Sequence, residues 1–129
     1  MSNNTLAYNA YTQNHLGVTS TEKLIEMLYE GLLKFCALAK KAIEKEDVEE
    51  KAKYINKAIN IFVELINDLD YEKGGDIAHY LSGLYTHQIK LLSLANINNS
   101  TQEIDTVINV VKVLLETWRE ETKIGAMAK

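Results

Sequence analysis

An all-α fold, an antiparallel up-down-up-down bundle of four helices, is what this chain of 129 residues predicts. Three observations carry that reading. Apolar residues recur every three or four positions through four long segments, the period of a helical face and not of a strand. The connections between the segments are a few residues long and cannot run the length of a helix, so consecutive helices must lie antiparallel and adjacent. Proline, the strongest helix breaker, is absent.

The first helix is predicted over Thr21–Glu44, opened by Ser20 as N-cap or by a capping box in Thr19-Ser20-Thr21-Glu22. The second runs over Val48–Leu69, with Asp47 as its cap and Glu50 three residues on. The third is expected over Asp76–Ala95, after Gly74-Gly75, a pair that lets the backbone turn through positive φ at little steric cost. The fourth runs over Thr101–Thr122, with Ser100 and Glu103 spaced as a capping box. Val107 to Leu115 is rich in β-branched residues, yet it keeps the helical period and lies between helix caps. Residues 1–18 then form an N-terminal aromatic arm or short capping helix, residues 19–122 the bundle, and residues 123–129 a tail.

The apolar stripes are wide. On the second helix Val48, Ala52, Ile55, Ile59, Phe62, Ile66 and Leu69 alternate spacings of four and three, and Tyr54, Ala58, Ile61 and Leu65 run beside them. On the fourth, Ile104, Val107, Val111, Leu114 and Trp118 form the seam, flanked by Ile108, Val110, Val113 and Leu115. A bundle helix touches two neighbours and needs a broad apolar arc, which accounts for much of this width. The excess also fits a groove left for another chain's amphipathic segment. The groove candidates are Ile25 and Tyr29 on the first helix, Tyr54, Ala58, Ile61 and Leu65 on the second, and Val110 and Val113 on the fourth.

Residues 1–18 differ in kind. They contain no Asp, Glu, Lys or Arg, yet carry Leu6, Tyr8, Tyr11, Leu16 and Val18 among asparagines and threonines. A disordered tail is usually more charged and poorer in aromatics. The segment reads either as an arm fixed on the bundle or as a detachable cover for an apolar surface.

Two runs, Thr19-Ser20-Thr21-Glu22-Lys23-Leu24-Ile25-Glu26-Met27-Leu28-Tyr29-Glu30-Gly31-Leu32 and Leu69-Asp70-Tyr71-Glu72-Lys73-Gly74-Gly75-Asp76-Ile77-Ala78, resemble the flagellin export chaperones of the FliS family. The similarity extends from about Tyr8 to about Arg119. It includes turn and surface residues that a generic bundle would not need. Two departures are visible: Thr21 stands where the family usually has proline, and Glu30 where it usually has aspartate. The resemblance implies a cytoplasmic chaperone that binds the C-terminal region of flagellin, prevents its premature polymerisation and escorts it to the flagellar type III export gate. It makes the groove candidates flagellin-binding, associates Tyr8 and Tyr11 with docking to the gate, and leaves a co-chaperone as a further candidate partner. No cofactor is implied.

Composition agrees with a protein that binds and does not catalyse. The net charge is -4 with acids and bases interleaved, which lacks the one-sided basic field of a nucleic-acid binder. No apolar run approaches the roughly 20 residues of a membrane span, and no cleavable signal precedes the bundle, so a soluble cytoplasmic protein without membrane insertion is expected. Cys36 is alone, which rules out an internal disulfide, and its spacing is that of a small buried apolar residue. One acidic-x-x-His pair, Asp76 and His79, is too little for a di-iron site, and no phosphate-cradling glycine loop exists. The alternative function is a histidine phosphotransfer-like signalling bundle, after His87-Gln88-Ile89-Lys90, although Leu91 stands where such a site wants a close-packed glycine.

Overall fold

A computed structural model describes residues 20–122. Four helices follow one another: α1, Thr21–Glu44; α2, Val48–Asn67; α3, Tyr71–Asn98; and α4, Gln102–Thr122. Each packs against its neighbours in chain order and α4 closes back on α1, which makes the ring of an up-down-up-down bundle. Among the described residues there is no strand. The proposed arm and tail, Tyr8 and Tyr11 included, lie outside the described residues.

Capping sets the helix starts. Ser20 is extended and its hydroxyl accepts from Lys23 N at 3.1 Å. Asp47 does the same for α2, accepting from Glu50 N at 3.1 Å. Ser100 Oγ accepts from Gln102 N at 3.3 Å ahead of α4. The ends are set by turns: Asn99 follows α3 in the left-handed region at φ 52°, and Glu46 holds φ 59° in the α1–α2 connection.

The largest departure from expectation is at the start of α3. The sequence places the helix start after Gly75, but the chain enters it at Tyr71. Asp70 is the cap, its carboxylate accepting from Glu72 N and Lys73 N, both at 3.1 Å. One helical turn forms, and the helix then breaks at Gly75, whose φ of 52° and ψ of -125° only glycine adopts without strain. The glycine pair is thus a kink inside a longer helix and not the whole of a loop. Gly74 is held for a second reason, because a Cβ there would stand 2.9 Å from Ala78 Cβ.

The core is built from one stripe per helix. Leu28, Leu32, Cys36 and Ala39 line α1, and Ile55, Ala58, Phe62 and Leu65 line α2. Tyr85 and Leu92 of α3 meet Ile104, Val107 and Val111 of α4. Burial pushes the Cys36 thiol up to about 12, so it stays protonated and acts as a small apolar residue. At the centre the hydroxyls of Tyr29 and Tyr85 share a buried hydrogen bond of 2.6 Å that joins α1 to α3 across the bundle. Desolvation raises the pKa of both phenols, so both stay neutral.

Candidate functional site

The eight groove candidates separate by burial. Tyr29, Ala58, Ile61 and Leu65 belong to the core, Ile61 being 8% exposed. All four are closed to solvent in the free chain, and the second stripe of α2 is the face that α2 turns to α1. Tyr54 shows why, since its ring stacks on Phe35 of α1 with centroids 6.2 Å apart and planes at 20°. Tyr54 and Ile25 are half-buried and lean on the core. Val110 is half-buried, and Val113 is open to solvent with 63% of its surface exposed. Val48, expected in the seam, is exposed as well, because it sits in the first turn of α2 beyond the core.

The open apolar surface lies on α3 and α4. Lys51 Nζ of α2 donates to Asn96 O at 2.9 Å and Asn99 Oδ1 at 2.6 Å, so that flank of α3 faces α2. Arg119 reaches Glu26 and Glu30, and Asp105 reaches Lys40, so that flank of α4 faces α1. The remaining flanks of α3 and α4 adjoin along the thinnest of the four interhelical seams. On that flank of α3 stand Ile77 at 70% and Tyr80 at 67% exposed, followed at helical spacing by half-buried Leu84 and Leu91. Val110, Val113 and Leu114 answer them from α4. The result is a shallow apolar furrow with no charged side chain among these seven.

Ile77 and Tyr80 were not singled out from the sequence. A signal for them does exist. The buried stripe of α3 runs through Ala78, Tyr85, Gln88, Leu92 and Ala95, which includes two small residues and one polar one. Much of that helix's bulky apolar content must then lie off the buried stripe.

Two buried carboxylates are held in opposite ways. Buried Glu26 is held by Lys23 Nζ at 2.7 Å and Arg119 Nε at 2.6 Å, and Arg119 Nη2 also reaches Glu30 at 2.8 Å. Buried Glu64 has the reverse situation: its Oε1 finds no hydrogen-bond partner among the described residues, and desolvation, with the charge of Asp68 one turn on, raises its pKa. A carboxyl whose folded pKa is raised costs stability while it is ionised. Glu64→Gln is therefore expected to stabilise the bundle by about 1 kcal/mol at neutral pH. The gain should shrink as the pH falls through the raised value towards ordinary carboxylate values, a trend that urea unfolding at several pH values would read.

Both histidines among the described residues are on the outside. His79 lies against the Tyr71 ring with centroids 4.7 Å apart, and His87 is exposed beside Lys90. Among the described residues no group of three His, Cys, Asp or Glu side chains is placed to hold a metal ion, and no helix is long and apolar enough to cross a membrane.

Comparison with known proteins points one way. The family model "Flagellar protein FliS" matches residues 2–124. A flagellar secretion chaperone FliS of Campylobacter jejuni is 62% identical over 117 residues, covering 91% of each chain. The protein of that name from Salmonella typhimurium is 39% identical over 102 residues, covering 78% of this chain and 76% of its own. A bacterial flagellar chaperone of known crystal structure superposes with a TM-score of 0.76 over 92% of this chain and 97% of its own, at 19% identity, a likeness of fold.

Proposed function

The chain belongs to the FliS family of flagellar secretion chaperones, and from that premise we propose that it binds the C-terminal region of flagellin in the cytoplasm, keeps it from polymerising, and escorts it to the flagellar export gate. The observation that carries the client-binding part is the apolar furrow between α3 and α4, with Ile77, Tyr80 and Val113 open to solvent. An amphipathic segment that cannot bury its apolar face alone gains roughly 25 cal/mol per Å² by lying on such a surface, and that gain offsets the entropy of ordering it. Val110 and Val113 are the groove candidates that contact the client in this reading, whereas Ile25 and Tyr54 lean on the core away from it, Tyr54 at the α1–α2 seam. Tyr29, Ala58, Ile61 and Leu65 hold the scaffold behind them. The chemistry is association only: no bond is made or broken, and release follows from exchange at the gate. Tyr8 and Tyr11 are proposed as gate contacts, so deletion of residues 1–18 removes gate binding and leaves client binding.

Calorimetric titration of the full chain with a C-terminal flagellin fragment tests this. A one-to-one complex is expected, with a strongly negative heat-capacity change from apolar burial and coupled folding. Tyr80→Asp combined with Val113→Asp should weaken it by at least about tenfold, or 1.4 kcal/mol, with the melting temperature unchanged. Absence of a complex at micromolar concentrations of both components would rule the reading out.

A further inference from the structure

The end of the bundle opposite the start of α1 carries a second surface, separate from the α3–α4 furrow. The α1–α2 and α3–α4 connections meet there, joined by Lys51, whose ammonium is turned inward onto Asn96 O and Asn99 Oδ1. Beside that junction opens a pocket of about 360 Å³. Its apolar lining comes from Ala42, Ile43 and Val48, and its rim carries Glu46 and Asp47. Val48 is 67% exposed, and Ile97, one residue from the carbonyl that holds Lys51, is 75% exposed. Both are conspicuous for large aliphatic side chains.

Charge is concentrated on the same end. Residues 44–50 hold five carboxylates and one lysine, an excess equal to the net charge of the whole chain. Glu44, Glu46, Asp47 and Glu49 are exposed, and Asp105 at the start of α4 is paired with Lys40 at 2.8 Å. Lys51, the only cation lining the pocket among the described residues, is spent on neutral oxygens. The rim field is therefore negative around a hollow whose apolar part is Ala42, Ile43 and Val48.

We propose that this end is a docking surface for a basic amphipathic protein segment, which seats one aliphatic side chain in the pocket against Ile43 and Val48 and sets lysines or arginines against Glu46 and Glu49. Charge complementarity selects the partner and accelerates its approach, and the pocket supplies the short-range contact. A pocket of about 360 Å³ is at the small end of the ligand range and suits one anchoring side chain. The surface is independent of the client furrow, so a chaperone already loaded can use it.

The test is an amide chemical-shift titration of the full, isotope-labelled chain with a helical peptide of about 12 residues, long enough for three turns. The peptide carries one central leucine flanked by four lysines. Saturable shifts confined to residues 43–49 and 96–99 are expected. Affinity should fall roughly tenfold when the peptide leucine becomes serine, and by a similar factor for the chain carrying Glu46→Gln with Glu49→Gln. Val48→Ser should weaken it further, with the melting temperature kept in each case. Failure to saturate at millimolar peptide, shifts spread over the whole surface, or equal binding of the leucine and serine peptides would each overturn the proposal. None of these outcomes bears on flagellin binding, which is read separately on the same variants.

Discussion

Replacing Phe62 with aspartate is expected to abolish the cooperative thermal transition of the bundle. The side chain is fully buried, with its ring 5.9 Å from that of Tyr85 between α2 and α3. Aspartate there removes a large apolar contact and puts an unpaired charge into the core, at a cost above about 4–5 kcal/mol. A domain of this size has roughly 5–15 kcal/mol in hand, so little or no folded population should remain. Ile61→Asp is expected to come close to the same result, since that residue is buried in the core of the free chain. Val113→Asp, on an open face, should stay within about 0.5 kcal/mol of the parent. Circular dichroism melts of the three variants give the comparison directly, and a folded Ile61→Asp chain would return that position to the groove.

The next largest loss is expected from Arg119→Met. Arg119 bonds Glu26 and Glu30 together, and Trp118 beside it donates from Nε1 to Glu22 O at 2.8 Å, so the end of α4 is tied to the start of α1. Without the guanidinium, buried Glu26 keeps only Lys23. Removing one partner of a buried pair costs up to about 3–5 kcal/mol, and with Lys23 still in place a loss of about 2–3 kcal/mol is expected. The sign with pH follows from the same contacts. Burial pushes the Glu26 carboxyl up, but the bonds from Lys23 and Arg119 outweigh it and hold the pKa below its ordinary value. The stabilisation is thus present above ordinary carboxylate pKa values and disappears as the pH falls through the lowered one. The gap between parent and Arg119→Met in urea unfolding should accordingly close in acid. Glu26→Gln added to Arg119→Met should recover part of the loss, and a purely additive cycle would mean that the two groups do not communicate.

Much of the fold was legible from local chemistry. Ser20 and Asp47 occupy the cap positions read from the sequence, because a short oxygen side chain before an apolar repeat has few other uses. Connections of a few residues left no topology except antiparallel neighbours. Less legible was which flank of a wide stripe faces inward. Ile61 and Val113 look alike as flanking residues, and the difference arises because α2 turns its second stripe to α1 while α4 leaves Val113 open to solvent at the edge of the furrow. That depends on rotation of each helix about its axis, which tertiary contacts such as Lys51 to Asn96 set and a single sequence does not display. Ile77 and Tyr80 were missed for a related reason: apolar residues are spread around α3, and no one face stands out.

Gly75 has a consequence for how the molecule breathes. The turn Tyr71–Gly74 is anchored by its own cap, with Gly74 N donating to Asp70 O at 2.7 Å, and the reversed φ of Gly75 interrupts the regular helix before Asp76. Helix propagation does not pass such a break, so this turn opens and closes as a separate unit while the rest of α3 stays locked into the core. Amides 71–75 will exchange with solvent through a low-energy local opening, and those around Tyr85 and Leu92 only through global unfolding. The α2–α3 corner can therefore yield to a passing chain or a partner without disturbing the register of the bundle.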